Sequence, residues 1–160
     1  MIDKLVNKDD CCGCKACGDV CPTEAINYKT DNAGFWIPSV QNKKCVNCKK
    51  CTNVCPIINR QNIKRKEITC YGAINTNDCI RENSTSGGIF SSLAMDILER
   101  NGIVVGATFE FNKVKHIIIS NECDLKKIRK SKYVQSDTDK IYRKVKAALI
   151  SKKYVLFSGT

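Results

Sequence analysis

The run C-x-x-C-x-x-C-x-x-x-C-P occurs twice in this 160-residue chain, and the two copies are in register. Cys11, Cys14, Cys17 and Cys21 return as Cys45, Cys48, Cys51 and Cys55, each 34 residues further on, and "DVCP" at 19–22 returns as "NVCP" at 53–56. Nine of the twelve cysteines lie in the first 55 residues, and Cys12 alone of these nine has no cysteine at its repeat position, which is Val46. A small fold must satisfy eight thiols at fixed spacing before it satisfies anything else.

Three cysteines two residues apart, on a loop that wraps a metal, can direct three thiolates at three corners of one cubane. The fourth, followed by proline, starts the next turn and points to a different cubane. This is the spacing of bacterial two-cluster ferredoxins, in which the fourth cysteine of each run serves the other cluster. The pattern predicts two [4Fe-4S] clusters. Cluster I falls to Cys11, Cys14, Cys17 and Cys55, and cluster II to Cys45, Cys48, Cys51 and Cys21. Zinc takes paired C-x-x-C or mixed Cys/His sets, which leaves a third cysteine in each run without a role. Cys12 reads as a small residue packed in the cluster loop. Each four-thiolate cluster carries about −2 when oxidised. The nine Lys/Arg against six Asp/Glu of residues 1–60 thus change from a net basic to a net acidic balance on loading.

The compartment follows from what the sequence lacks. No apolar run approaches the roughly 18 residues of a membrane span, and "MIDKLVNKDD" holds no hydrophobic leader. A cytoplasmic location with no membrane span is expected, where disulfides are disfavoured. The net charge is +11. One histidine and few aromatics accompany the lysines, and no nucleic-acid-binding signature is present, so the lysines read as solvated surface and no nucleic-acid partner is expected.

Between the repeats, "AINYKTDNAGFWIPSV" (25–40) predicts a β-hairpin turning at Asp31–Gly34, with Tyr28, Phe35, Trp36 and Ile37 as core packing. "IINRQNIKRKEIT" (57–69) reads as a polar linker. After it come a strand over 68–75 and a helix in 82–102 that places Ile89, Phe90, Leu93, Ala94, Ile97 and Leu98 on one face and stops at Gly102. Two strands follow over 103–111 and 113–120, turning at Asn112-Lys113, then a short helix in "ECDLKKIRKS". An amphipathic helix over 137–153 buries Ile141, Val145, Ala148 and Leu149, and a buried strand in "YVLFSGT" ends the chain. The fold class is α+β: a bacterial two-cluster ferredoxin-like domain (1–60), a linker (61–67) and an incomplete α/β domain (68–160). "STSGG" before a helix can be an ordinary N-cap or a phosphate cradle. "SKYVQS" (131–136) is a polar island. His116 reads as a structural strand residue, and Cys70, Cys79 and Cys123 as buried thiols.

"CCGCKACGDVCPTEAI", "DNAGFWIPSV", "CVNCKKCTNVCP", "STSGGIFSSLA", "GIVVGATFE", "SKYVQS" and "VLFSGT" occur in that order. Together they resemble the coenzyme F420 hydrogenase/dehydrogenase beta-subunit family, in its bacterial form with an N-terminal ferredoxin domain, from about Lys4 to Thr160. The resemblance implies a flavoprotein in which FAD joins iron–sulfur clusters to a two-electron acceptor, the deazaflavin coenzyme F420 or another small molecule. It implies a redox partner, either a ferredoxin or a hydrogenase/dehydrogenase subunit. It places Ser86, Gly87, Gly88, Lys132, Tyr133 and Gln135 at or near the flavin. Family members continue past "SGT" with "PCQ" and a long C-terminal domain, so the resemblance also implies a C-terminally truncated chain with incomplete flavin and substrate sites. The alternative is an electron carrier or docking module without catalytic activity of its own.

Overall fold

A computed structural model describes residues 1–59, 69–138 and 140–159. The predicted linker 61–67 lies outside the described residues. The chain divides into two units, one of residues 1–65 with 138–143, the other of 66–137 with 144–160.

In the first unit, α1 (Ile2–Leu5) precedes α2 (Ala16–Asp19), the strands β1 (Ile26–Thr30) and β2 (Trp36–Val40), and α3 (Lys50–Val54). The hairpin forms as expected: β1 and β2 pair antiparallel from Ile26↔Val40 to Thr30↔Trp36. Its turn is held by Asp31, whose carboxylate accepts from the N–H groups of Ala33 (2.9 Å) and Phe35 (2.8 Å). Pro38 is accommodated because a two-stranded ribbon has only edge strands. Ile2 and Ala25 are buried, and the Asp3 carboxylate accepts from Val40 N–H at 3.1 Å, which fixes α1 on the hairpin. The expectation that the hairpin aromatics form core packing is corrected. Phe35 is exposed, while Tyr28 and Trp36 bracket the Lys15 side chain, whose ammonium lies 3.6 Å from the Trp36 ring centre.

The second unit carries α4 (Asp78–Glu82), α5 (Ile89–Glu99), β3 (Ile103–Glu110), β4 (Lys113–Ile119), α6 (Leu125–Ile128), most of α7 (Ile141–Ile150) and β5 (Val155–Phe157). Its sheet has the order β4-β3-β5, antiparallel between β3 and β4 and parallel between β3 and β5. Ala94, Val104, Ile119, Leu125 and Ile128 form the core, with Phe90, Ile97, Leu98 and Leu156 packed against it.

Several expectations fail here for identifiable reasons. Residues 69–75 form no strand, and Tyr71 is 86% exposed, because the segment finds no sheet neighbour. Ile89 and Leu93 lie on the solvent side of α5. The αL residue that ends α5 is Asn101, with Gly102 N–H bonding the Ile97 carbonyl (2.9 Å) and Asn101 N–H that of Leu98 (3.0 Å), a Schellman closure. The β3–β4 turn is Phe111-Asn112, since Glu110 already pairs with Lys113. Helix α7 begins at Ile141, not near 137, because Asp137 is bridged to Lys115 beside β4. Leu149 on it is exposed, and β5 is half-buried rather than buried. Cys70, Cys79 and Cys123 are all exposed, not buried thiols. His116 is structural as read: its Nδ1 lies 2.8 Å from Ser136 Oγ, its Nε2 3.0 Å from the Ser158 carbonyl, and its ring stacks on Phe157.

Candidate metal centre

The 34-residue repeat is also a repeat of backbone. Lys15 and Lys49 occupy the left-handed region with nearly identical angles (φ 59°, ψ 6° and φ 59°, ψ 4°), and Gly13 and Asn47 share positive φ (63° and 52°). Each lysine precedes a helix of one turn, α2 or α3. Its carbonyl accepts from the third and fourth residues on: Gly18 N–H (3.0 Å) and Asp19 N–H (3.2 Å) in the first copy, Thr52 and Asn53 N–H (both 3.1 Å) in the second. Left-handed residues at matching positions curl each C-x-x-C-x-x-C loop into the same concave turn, which turns backbone N–H groups inward. The last cysteine of each run leaves after that turn.

The eight repeat cysteines fall into two groups of four. Cys21, Cys45, Cys48 and Cys51 line one cavity of about 420 Å³, together with Leu5 and Val46. Cys11, Cys14, Cys17 and Cys55 line a second, tighter cavity of about 30 Å³, together with Ile2 and Tyr28. The fourth cysteine of each run thus stands with the first three of the other. Among the described residues no three His, Cys, Asp or Glu side chains converge as they would on a single ion. A cubane needs a different arrangement, one thiolate at each of four separated corners, and an all-sulfur donor set suits iron–sulfur chemistry.

The thiols of the tight cavity are held in their protonated form. Burial pushes Cys14 up to about 11, with Cys12 and Cys17 adding to it against the opposing Ala16 N–H. Burial raises Cys17 as well, against hydrogen bonds from Tyr28 and Gly18. Metal loading must therefore displace protons here. Cys21 is the opposite case. Burial acts to raise it, but the Ala25 N–H (3.3 Å) and the Thr23 hydroxyl (3.7 Å) outweigh burial and hold its thiol below the ordinary value.

Three residues that sequence reasoning missed shape the tight site. Tyr28 Oη donates to the Lys15 carbonyl (2.9 Å), accepts from Gly18 N–H (3.0 Å) and lies 3.5 Å from Cys17 Sγ. Asp19 is buried, and its carboxylate accepts from Tyr142 N–H (2.8 Å) and Arg143 N–H (3.3 Å) at the start of α7. Thr138 donates its hydroxyl to the Cys14 carbonyl at 2.8 Å. Thr138–Arg143 belong to the first unit for this reason. The signal available in advance was weak: a polar residue in a short helix has no sequence mark saying which distant N–H it will meet. Cys12 is exposed at the rim of the tight cavity rather than packed in the loop.

The expected flavin residues are only partly brought together. Ser86 and Gly88 line a small cleft of about 100 Å³ with Thr85, Arg129 and Lys130. Gly87 packs so closely that a Cβ there would lie 2.5 Å from the Ala73 carbonyl. Lys132 is turned back onto the backbone carbonyls of Arg129 (2.5 Å) and Lys130 (2.9 Å), and burial lowers its pKa. Lys132, Tyr133 and Gln135 do not line the cleft, and Tyr133 is 91% exposed. Arg129 and Lys130, which do, were not anticipated.

Residues 10–59 match the 4Fe-4S dicluster domain, and residues 70–143 match the N-terminal part of the coenzyme F420 hydrogenase/dehydrogenase beta subunit. The chain belongs to the coenzyme F420 hydrogenase/dehydrogenase beta-subunit family. It is an iron–sulfur protein of electron transfer within that family. No curated protein matches it. Among the described residues no helix is long and apolar enough to cross a membrane.

Proposed function

We propose that this chain relays single electrons between a redox partner protein and FAD, for a two-electron reaction at coenzyme F420 or another small acceptor. Cys11, Cys14, Cys17 and Cys55 hold one [4Fe-4S] cluster, and Cys21, Cys45, Cys48 and Cys51 the other. The observation that carries this reading is the sorting of eight repeat cysteines into two cavities of four. When bound, the clusters supply one-electron steps and a flavin supplies the junction to two-electron chemistry. The chain's part is to hold thiolates at fixed corners, to aim Ala25, Ala16 and Gly18 N–H groups at cluster sulfurs, and to keep water from the tight site with Ile2 and Tyr28.

Toward FAD, the cleft of Thr85, Ser86, Gly88, Arg129 and Lys130 has the size and charge for a phosphoryl group, not for a flavin ring. The ring would lie beyond it. The small size of this cleft, and the outward placement of Tyr133, favour one second reading: a carrier module that delivers electrons to a separate flavin-bearing protein.

Anaerobic purification with iron, acid-labile sulfide and flavin measured on one sample tests both. About eight iron and eight sulfide with one FAD per chain supports the flavin relay. The same iron and sulfide without flavin supports the carrier. Zinc in place of iron defeats both.

A further inference from the structure

The two cysteine cavities are built from the same repeat but differ at their mouths. In the tight cavity Tyr28 reaches across to the Lys15 carbonyl and closes the loop from outside. At the matching place in the second copy, Thr52 takes the Lys49 carbonyl with its own hydroxyl, at 2.7 Å, and no aromatic ring covers the loop. Val46 and Leu5, both 62% exposed, form an apolar rim at this open cavity, and Cys48 is exposed.

Around this rim the charge has one sign. Lys43, Lys44, Lys49 and Lys50 flank Cys45 and Cys48, all four are exposed, and no acidic residue occurs between Asp31 and Glu67. None of the four forms an ion pair among the described residues. At the tight cavity, by contrast, Lys15 is drawn over Trp36 and Tyr28. A small apolar centre ringed by unpaired like charges is the anatomy of a transient, electrostatically steered interface.

We propose that the Lys43–Lys50 face is the docking surface for an acidic one-electron carrier protein, which exchanges its electron at the open site. This rests on the cluster assignment above. The handover makes no bond and moves no proton: the carrier gives up one electron and the loaded chain gains it. The four lysines exceed the charge of about −2 of a loaded four-thiolate site, so the face stays positive toward an acidic partner.

The test uses the iron-loaded chain, an acidic two-cluster ferredoxin as probe and basic cytochrome c as control. Binding is measured with both partners oxidised, so that no turnover is involved. The surface predicts that the ferredoxin dissociation constant rises steeply with salt. It rises at least tenfold in the quadruple Lys43→Gln/Lys44→Gln/Lys49→Gln/Lys50→Gln variant, while cytochrome c binding does not weaken. Reduction by photoreduced 5-deazariboflavin, a small neutral reductant, stays within twofold of the parent chain. Pairwise variants (Lys43→Gln/Lys44→Gln and Lys49→Gln/Lys50→Gln) give intermediate effects if the quadruple variant loses iron. Unchanged ferredoxin affinity in variants with full iron overturns the surface alone. A parent chain with fewer than about eight iron overturns the cluster assignment and the surface with it.

Discussion

Tyr28 Oη lies 3.5 Å from Cys17 Sγ and is held there by two backbone groups, the carbonyl of Lys15 and the N–H of Gly18. Burial and the neighbouring Cys17 raise the phenol's pKa well above its ordinary value, so it keeps its proton. A thiolate at Cys17 can only accept, and the one phenolic hydrogen is shared between sulfur and carbonyl. Removing it in Tyr28→Phe takes away a donor that favours the more negative, reduced state. A hydrogen bond worth about 1 kcal/mol, at about 59 mV per tenfold in a one-electron equilibrium, corresponds to a fall on the order of 40 mV. The low-potential shift should appear in one of two clusters by redox-monitored electron paramagnetic resonance. Equal shifts in both, or none, contradict the placement of Tyr28.

Gly18 is required by the same contact. A Cβ there would lie 2.3 Å from Tyr28 Oη and 3.1 Å from Cζ, and the ring cannot retreat because Lys15 and the hairpin hold it. Gly18→Ala should lower stability by about 1–3 kcal/mol, the range of overpacking in a filled site, and should reduce iron retention in aerobic dialysis. The double variant Gly18→Ala/Tyr28→Phe should recover part of the loss, since the closest atom is gone.

Asp19 caps a helix that starts more than a hundred residues later. Its carboxylate accepts from Tyr142 and Arg143 N–H, while Arg143 returns hydrogen bonds to the Asp19 carbonyl and, at 2.8 Å, to the Cys21 carbonyl. A buried acceptor at the positive end of α7 satisfies donors that no residue of the helix can reach. Asp19→Ala should cost about 1–2 kcal/mol, as lost N-caps do, read as a lowered urea midpoint. Asp19→Asn, which keeps one acceptor, should cost less. Equal losses would mean that charge, not the hydrogen bond, matters at this position.

These contacts mark where the sequence stops being legible. The cysteine register, the Asp31–Gly34 turn and the β3–β4 pair are local: spacing, turn chemistry and alternation act within a few residues, and all were readable. The crossed sorting of Cys21 and Cys55 was also readable, because the position after the third cysteine is fixed by the turn it ends. What failed depended on distant partners. Residues 69–75 have strand composition but no neighbouring strand, and Leu149 lies on an apolar stripe with nothing set against it. Asp19, Thr138 and Tyr28 are ordinary polar residues whose roles come from segments 10 to 124 positions away. Arg129 and Lys130 looked like solvated charge and instead line the Ser/Thr cleft.

The second unit should lose stability in mild acid. His116 is buried, and burial lowers its pKa below 6.5, against the Ser158 carbonyl that favours the charged ring. That carbonyl can only accept, so Nε2 carries the hydrogen and Nδ1 accepts from Ser136. The unfolded histidine binds a proton more readily than the folded one. The stabilisation is therefore complete above the unfolded value and is lost as pH falls through the folded one. The thermal midpoint of this unit should drop between about pH 7 and pH 5. The drop should shrink in His116→Gln, whose amide can donate to Ser158 without titrating. A variant that retains the full pH dependence would assign it to other groups.

Thiol labelling separates the cysteines most directly. Twelve are present, eight are assigned to clusters, and Cys12, Cys70, Cys79 and Cys123 remain. All four are exposed, so none is shielded by packing. In the anaerobic loaded protein, brief iodoacetamide treatment should modify these four and spare the other eight, because a sulfur bonded to iron is a poor nucleophile toward an alkylating agent. Cys48 provides the decisive comparison: it is exposed like the free four but carries a repeat position. Its protection in the loaded protein, and its rapid modification after iron is chelated away, can come only from ligation. Modification of Cys48 before chelation would remove it from the cluster set, and protection of Cys12 would bring Cys12 in.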